Sequence, residues 1–226
     1  SATTQTITVA GARNEHVPFQ VVIAAPPPPT RYDKAAESFF AEISDLASAR
    51  ARIPKTQIKC YFEHMVLCYA KSSPVGETGF WPDALVPLTD PFSMATEFRS
   101  FARNRGIWVD VQVPPDAAAG VYQGNLMVTQ HGRPVAELKV SLQVYDFALP
   151  AETHLVTFMG VSRNWLARAY EIDANSAEAT RLIKLYYDFL YANRMEPWFH
   201  ELLRPKVEEK GESVEVTFDD ALYRRY

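Results

Sequence analysis

The sequence predicts a mainly β protein: an N-terminal β-sandwich, about residues 1–150, followed by the beginning of an α/β domain, residues 151–226. Three observations predict this fold. Short apolar segments with period-two alternation recur as far as Pro150. A strong amphipathic helix pattern then begins near Asn175, and a hairpin pattern centred on Gly211 follows it.

Composition and charge restrict the classes of partner. The 226 residues are 47% apolar with a net charge of −4, as in a globular protein. Lysine and arginine are scattered, so we expect no nucleic-acid partner. No apolar run approaches the roughly 20 residues of a membrane span. The polar start "SATTQ" is typical of a mature secreted or periplasmic protein without its leader, although a cut at that point gives the same pattern.

The clearest strand is "GIWVDVQVPP", in which apolar and polar residues alternate strictly. Its apolar face holds Ile107, Val109, Val111 and Val113, and its other face holds Trp108, Asp110 and Gln112. "QTITVA" and "VPFQVVIAA" are further strands, and "HGRP" is a hairpin turn between "GNLMVTQ" and "AELKVSLQVYDF". Strands at this spacing predict a sandwich.

The two cysteines are predicted to be buried free thiols. Cys60 and Cys68 lie in "IKCYFEHMVLCY", which has no glycine or proline on which to turn. In one extended strand they would lie roughly 26 Å apart, far beyond the length of a disulfide.

Beyond Pro150 the order of patterns is strand, loop, helix, strand. "HLVTFMG" is a short apolar strand and "VSRNWLARAYEIDAN" a loop. Asn175 and Glu178 form a predicted capping box. The predicted apolar face of the helix holds Ala179, Leu182, Ile183, Tyr186 and Leu190. "RMEPWF" is the next strand. One β-α-β unit leaves apolar surface bare, so we expect a fragment or one piece of a larger assembly.

Four pieces of sequence, in order, resemble a known family. "ARNEHVPFQVVI", "GFWPDALVPL", "GIWVDVQVPPDAAAGVYQGNLMV" and "VYDFALP" are similar to the N-terminal half of bacterial proteins that carry domain of unknown function 4091, relatives of glycoside hydrolase family 123. The resemblance runs from about Ala12 to Pro150 and more loosely includes "FLYANRMEP" and "VEVTFDDAL". It implies a β-sandwich followed by a (β/α)₈ barrel that holds the active site.

The resemblance also revises local structure. Residues 33–52 have helix-forming composition, and propensity alone favours a helix. In the family pattern this segment instead holds a strand at Phe39 to Ile43 and a loop through "SDL". Two of the four quoted pieces also predict local structure. "WPDALVPL" predicts a loop that packs on a sandwich face, and "VPPDAAAGVYQG" predicts a turn at Gly120 before an edge strand at Tyr122.

The resemblance implies hydrolysis of glycosidic bonds, of N-acetylhexosaminides where the kinship extends to substrate, without a cofactor. The family's catalytic Asp-Glu pair lies on a later barrel strand, past Tyr226, so no catalytic residue is assigned and this chain alone is expected to be inactive. The expected partners are a glycan and the rest of the barrel, in the same or a separate polypeptide. The alternative is a non-catalytic carbohydrate-binding or surface structural module.

Two predicted barrel loops carry candidate sugar-binding residues. The first holds Arg163, Asn164 and Trp165, and the second holds Trp198, His200 and Glu201. Barrel active sites are built on such loops, indole rings offer flat apolar faces, and the other side chains can bond hydroxyls. The alternative interpretation is that both tryptophans pack the barrel mouth and His200 is an ordinary loop residue.

The remaining polar motifs are predicted to be structural. Residues 13–16, "RNEH", form a turn in which arginine and glutamate pair locally. His64 and His131 have no second ligand at metal spacing. Asp219 and Asp220 precede a helix pattern, where a carboxylate normally caps free backbone amides.

Overall fold

The computed structural model describes residues 6–24, 38–71, 73–93, 104–152, 154–155, 157, 159–197, 203–211 and 213–223. The chain divides into two compact units, residues 1–150 and 151–226.

The first unit contains two β-sheets. The strands of the first sheet are β1 (Thr6–Arg13), β3 (Ser38–Ile43), β4 (Leu46–Ala47), β5 (Arg52–Ile53), β8 (Phe92–Ser93), β10 (Gly120–Gln130) and β11 (Arg133–Ala148). The strands of the second are β2 (His16–Ala24), β6 (Ile58–Cys68), β7 (Gly79–Pro87) and β9 (Asn104–Gln112). Their orders are β1-β11-β10-β3-β8, with the short β4 and β5 beside β10, and β2-β9-β6-β7. Only β1 and β11 pair in parallel among the described strands.

The core of the first unit consists of the inward-facing side chains of both sheets. The predicted inner face of β9 is confirmed, because Ile107, Val109, Val111 and Val113 are all fully buried. From the first sheet they are joined by Phe39, Ala41, Ile43, Tyr122, Leu126, Val128, Val140, Leu142 and Val144. Period-two alternation in strands of both sheets therefore produces a single apolar layer between them.

The predicted hairpin between β10 and β11 is confirmed. Gln130 pairs with Arg133, and the two turn residues have positive φ, 51° at His131 and 73° at Gly132. Such a two-residue turn matches the twist of the strands it joins. Gly120, at the start of β10, has φ 140°, which favours glycine as the predicted turn required.

Two predictions from the family motifs are wrong, one of a loop and one of an edge position. "WPDALVPL" is not a loop, because most of it lies in β7, which pairs antiparallel with β6 at the edge of the second sheet. An edge strand tolerates Pro82 and Pro87, since one side of it needs no ladder hydrogen bond. Tyr122, predicted on an edge strand, lies in β10, which has neighbours on both sides and buries that side chain.

The segment with helix-forming composition is strand β3, as the family pattern implies. Phe39, Ala41 and Ile43 are buried, so the gain from burying one face exceeds the small helical preference of this segment. The loop after it is shorter than predicted, since β4 already begins at Leu46.

The prediction that the cysteine segment is one extended strand is confirmed, because β6 runs from Ile58 to Cys68. Cys60 and Cys68 are both free thiols. They are half-buried rather than buried as predicted.

The second unit contains α1 (Arg163–Ala169), α2 (Ala177–Ala192), the hairpin β12 (Lys206–Lys210) and β13 (Ser213–Thr217), and α3 (Asp220–Tyr223). The hairpin prediction is confirmed. Helix α1 falls within the segment predicted to be a loop. In "HLVTFMG" the described residues form no strand, only an isolated parallel bridge between Met159 and Pro197.

The N-cap of α2 lies one residue later than predicted. Ser176, not Asn175, caps the helix, and its Oγ accepts a hydrogen bond of 3.1 Å from the amide of Ala179. The helix packs on Leu166 of α1. Its buried face holds Ala179, Leu182, Ile183, Tyr187 and Leu190, so Tyr187 takes the place predicted for Tyr186.

Candidate functional site

The first set of predicted sugar-binding residues lies on helix α1 rather than on a loop. Arg163 is its first residue, and its Nη1 donates hydrogen bonds to the carbonyl of Ala174 at 3.3 Å and to Oγ1 of Thr180 at 3.0 Å. These bonds tie the beginning of α1 to the beginning of α2. Arg163 thus has a structural role that its sequence position did not indicate.

Asn164 and Trp165 point away from the helix packing. Both are exposed, and 67% of Trp165 is accessible to solvent. The indole of Trp165 therefore presents a flat apolar face to solvent. The second predicted set, Trp198, His200 and Glu201, lies outside the described residues.

One contact joins the residues that precede the two candidate segments in the sequence. The amide of Met159 donates a hydrogen bond of 2.8 Å to the carbonyl of Glu196, and Met159 forms a parallel bridge with Pro197. Met159 precedes the first candidate segment and Pro197 precedes the second, so the bridge brings the chain together just before both. Because the bridge is parallel, both segments run through it in the same direction.

A polar group of side chains on the outer face of the second sheet was missed by sequence reasoning. Glu63 is 6% exposed, and its Oε1 accepts a hydrogen bond of 2.6 Å from Gln20 Nε2. On the same face His16 Nδ1 lies 2.9 Å from Asp110 Oδ2. Tyr61 is paired with Trp108 across the strands, and burial raises its pKa. The sequence signal for this group was Glu63, a carboxylate at an outward-facing position of the otherwise largely apolar strand β6.

The predicted local pair in residues 13–16 is wrong. Arg13 instead pairs with Asp146, at 3.2 Å between Nη2 and Oδ1. Glu15 Oε2 accepts a 2.6 Å hydrogen bond from the amide of Ala12. This pairing joins β1 to the end of β11, so the segment fastens the sheet rather than forming a separate site.

The other motifs take positions that carry no chemistry of their own. His131 is a turn residue, His64 contacts Phe62 edge-on with ring centroids 6.5 Å apart, and Asp219 immediately precedes α3. Within the described ranges, no cluster of three or more potential metal ligands occurs. In the same part of the chain, no helix is both long and apolar enough to cross a bilayer.

A second region missed by sequence reasoning lies on the outer face of the first sheet. Tyr145 and Phe147 of β11 stack with ring centroids 5.9 Å apart and planes 4° apart, and both rings are exposed. Further along the sheet a cavity of about 540 Å³ is lined by Thr6, Thr8, Gln123, Gly124, Asn125, Lys139, Val140 and Ser141. The alternation of "SLQVYDF" could have placed both aromatic residues on the polar face.

A model of the glycoside hydrolase 123 N-terminal domain matches residues 1–130. The chain belongs to this family. Its fold is also that of a solved family 123 glycoside hydrolase from Clostridium perfringens, studied for glycolipid glycan hydrolysis, with 15% identity and a TM-score of 0.70. That similarity covers 98% of this chain and 40% of the other, so this glycoside hydrolase 123 N-terminal domain protein spans less than half of the enzyme's length.

Other similarities are weak. The N-terminal domain of PorA has a TM-score of 0.28 and 7% identity over 64% of this chain and 90% of its own. The C-terminal domain of the Streptococcus agalactiae AgI/II polypeptide BspA has a TM-score of 0.29 and 12% identity over 62% of this chain and 45% of its own. Scores this low carry no argument. No protein of curated function matches this glycoside hydrolase 123 family member.

Proposed function

We propose that this chain is the N-terminal part of an enzyme that hydrolyses glycosidic bonds. Residues 1–150 form a sandwich that supports a catalytic (β/α)₈ barrel, residues 151–226 begin that barrel, and the catalytic acid pair lies beyond residue 226. The observation that carries the proposal is the fold similarity to a family 123 glycoside hydrolase, which extends over 98% of the chain and so includes the second unit.

The surface of the second unit supports the barrel proposal. Its described apolar core is small: Leu166, Leu182, Ile183 and Tyr187. Meanwhile large apolar side chains are exposed on α2, on the β12–β13 hairpin and directly after it, namely Leu185, Phe189, Val207, Val214, Val216 and Phe218. Exposed apolar surface on this scale indicates a contact with further protein. In the proposal the remaining βα units of the barrel cover it, as part of the same polypeptide or of a partner.

The proposed substrate is a glycan, with N-acetylhexosaminides the first class to test, and the proposed location is secreted or periplasmic. Glycoside hydrolysis needs two carboxyl groups, or one assisted by a substrate acetamido group. The parallel bridge at Met159 and Pro197 supports a barrel opening, because barrel strands are parallel and their C-terminal ends carry the site. Trp165 is then a sugar-stacking residue at the barrel mouth.

The test is hydrolysis of a panel of aryl glycosides, including the N-acetylgalactosaminide, by the full-length gene product. We expect turnover of at least one N-acetylhexosaminide, and a rise in KM of about tenfold in the Trp165→Ala variant with little change in kcat. Arg168→Ala, at an exposed position of α1 outside the candidate set, is the matched control for a general effect on the helix. Absence of turnover across the panel, with correctly folded protein, would overturn the proposal.

A further inference from the structure

The outer face of the first sheet carries a polar cavity and, further along β11, a pair of stacked aromatic rings. We define the β11 surface as the cavity-lining residues Thr6, Thr8, Gln123, Asn125, Lys139 and Ser141 with the aromatic pair Tyr145 and Phe147. Strand register aligns them: Lys139 is opposite Asn125 and Thr6, and Ser141 is opposite Gln123 and Thr8. The aromatic pair follows further along β11.

The aromatic pair faces solvent, where alternation normally places polar residues. Val144 is fully buried, so the next residue, Tyr145, points outward, and its stacking on Phe147 puts both rings on that side. The two residues are 45% and 55% exposed. The β1–β11 register also shifts between Val144 and Ala148, and such irregularities re-aim side chains next to binding sites. Two parallel exposed rings suit a ligand with flat apolar faces.

The cavity supplies the complementary polar groups. Its lining offers hydroxyls from threonine and serine, carboxamides from Gln123 and Asn125, and the ammonium of Lys139. Among the described lining residues no carboxylate is present. These groups donate and accept hydrogen bonds in several directions, which suits a ligand that is dense in hydroxyl and acetamido groups.

We propose that the β11 surface binds an oligosaccharide without cleaving it. The rings of Tyr145 and Phe147 stack against the C–H faces of sugar rings, and the cavity binds hydroxyl and acetamido groups further along the chain. Four residues of strand separate Ser141 from Tyr145, roughly 13 Å, so one short oligosaccharide reaches both parts. A docked protein would instead favour a broad apolar centre with a polar rim, whereas here the aromatic pair lies at one end of a polar strip.

This inference is independent of the proposed hydrolysis, because it needs only residues 6–147. Saturation-transfer NMR and titration calorimetry of the 226-residue chain would measure binding of three probes: an N-acetylglucosamine trisaccharide, a glucose trisaccharide and sialylated lactose. We expect binding of at least one probe. Tyr145→Ala, Phe147→Ala and Gln123→Ala should each weaken it by about tenfold or more, and Phe147→Tyr should retain it.

Trp81→Ala is the matched control, since Trp81 is a similarly exposed aromatic residue, at 47%, on the second sheet. Its binding constant should equal that of the unmodified chain, and circular dichroism should show all variants folded. Three results would overturn the inference. Two of them are no binding of any probe, and equal loss of binding in Trp81→Ala and Tyr145→Ala. A third is that Tyr145→Ala and Phe147→Ala weaken only the association of this chain with other protein, which would make the pair a protein-docking surface.

Discussion

The carboxylate of Glu63 fills the space beside Gly106 on the neighbouring strand, where any β-carbon would collide with it. Gln20, on the strand beyond, donates a 2.6 Å hydrogen bond to Oε1 of the same carboxylate. One buried acidic group thereby joins β2, β9 and β6 across the outer face of the second sheet. A buried carboxylate is costly unless it is hydrogen-bonded, so this geometry has to be maintained.

Replacing Gly106 by alanine should therefore destabilise the protein. The added β-carbon displaces the carboxylate from Gln20, with an expected cost of about 1–3 kcal/mol in the free energy of unfolding measured in urea. In a Glu63→Ala background the same replacement should cost much less, because the colliding group is absent. Additive effects of the two changes, within about 0.5 kcal/mol, would show that the contact does not carry the cost.

The position of the α2 cap can be tested directly. Ser176→Ala removes the hydrogen bond to the Ala179 amide and should cost about 1 kcal/mol, measured by thermal unfolding followed by circular dichroism. Asn175→Ala is the control and should change stability by no more than about 0.5 kcal/mol. The opposite ranking would return the cap to Asn175, where the sequence pattern placed it.

Arg163 and Asn164 are neighbours on α1, but Arg163 makes hydrogen bonds to the start of α2 whereas Asn164 is exposed. Arg163→Ala removes two hydrogen bonds that hold α1 on α2 and should lower the stability of the second unit by about 1–2 kcal/mol. Asn164→Ala should leave stability nearly unchanged, because the residue is exposed. Hydrogen exchange at the α2 amides would measure the stability of the second unit in both variants. Equal protection of these amides in Arg163→Ala and Asn164→Ala would contradict the structural role of Arg163.

The thiol of Cys60 should make stability depend on alkaline pH. Burial, with a smaller contribution from the charge of Glu42, raises its pKa from 9.0 to about 11. The folded state therefore holds the proton of Cys60 more tightly than the unfolded state does. The contribution of this thiol to the free energy of unfolding is fully present below pH 9.0 and is lost as pH rises through about 11. Urea unfolding at several pH values should show a steeper alkaline loss for the unmodified chain than for Cys60→Ala. If stability fell equally with pH in the unmodified chain and in Cys60→Ala, the raised pKa of Cys60 would be contradicted. Making the comparison in a Cys68→Ala background leaves Cys60 as the single thiol.

The two units should differ in resistance to protease when the 226-residue chain is purified alone. The second unit has a small described core and much exposed apolar surface, so its local unfolding should cost little free energy. Mass spectrometry after brief trypsin treatment should find the early cuts beyond residue 150 and a persistent fragment containing β1 to β11. Equal persistence of both units, with no partner present, would count against an unfinished barrel.

The sandwich strands could be predicted because side-chain alternation depends only on burial of one face. Val109 and Val111 illustrate this, since every second residue of β9 is buried. The strand at β7 was missed because Pro82 suggests a loop, and only the sheet order shows that β7 is an edge strand where proline is tolerated. Helix α1 was missed because it has only seven residues, of which Leu166 and Ala167 are buried. Two adjacent buried residues do not show a helical period in the sequence.

The candidate site was harder to predict for a different reason. Residue type identified Arg163 and Trp165 equally well as sugar ligands, but type does not show which of them already has hydrogen-bond partners within the chain. Likewise Tyr145 and Phe147 are residue types typical of a core, although the alternation around the buried Val144 places them on the outer face. Chemistry can be suggested from residue type, whereas availability for a ligand depends on tertiary contacts.

The parallel pairing of β1 with β11 has a consequence for synthesis of the protein. Thr6 pairs with Lys139, so β1 has no parallel ladder partner until more than a hundred further residues have been made. At typical rates of translation this delay is on the order of ten seconds. Local folding alone therefore cannot complete the first sheet, because its β1–β11 ladder is a pairing of high sequence separation.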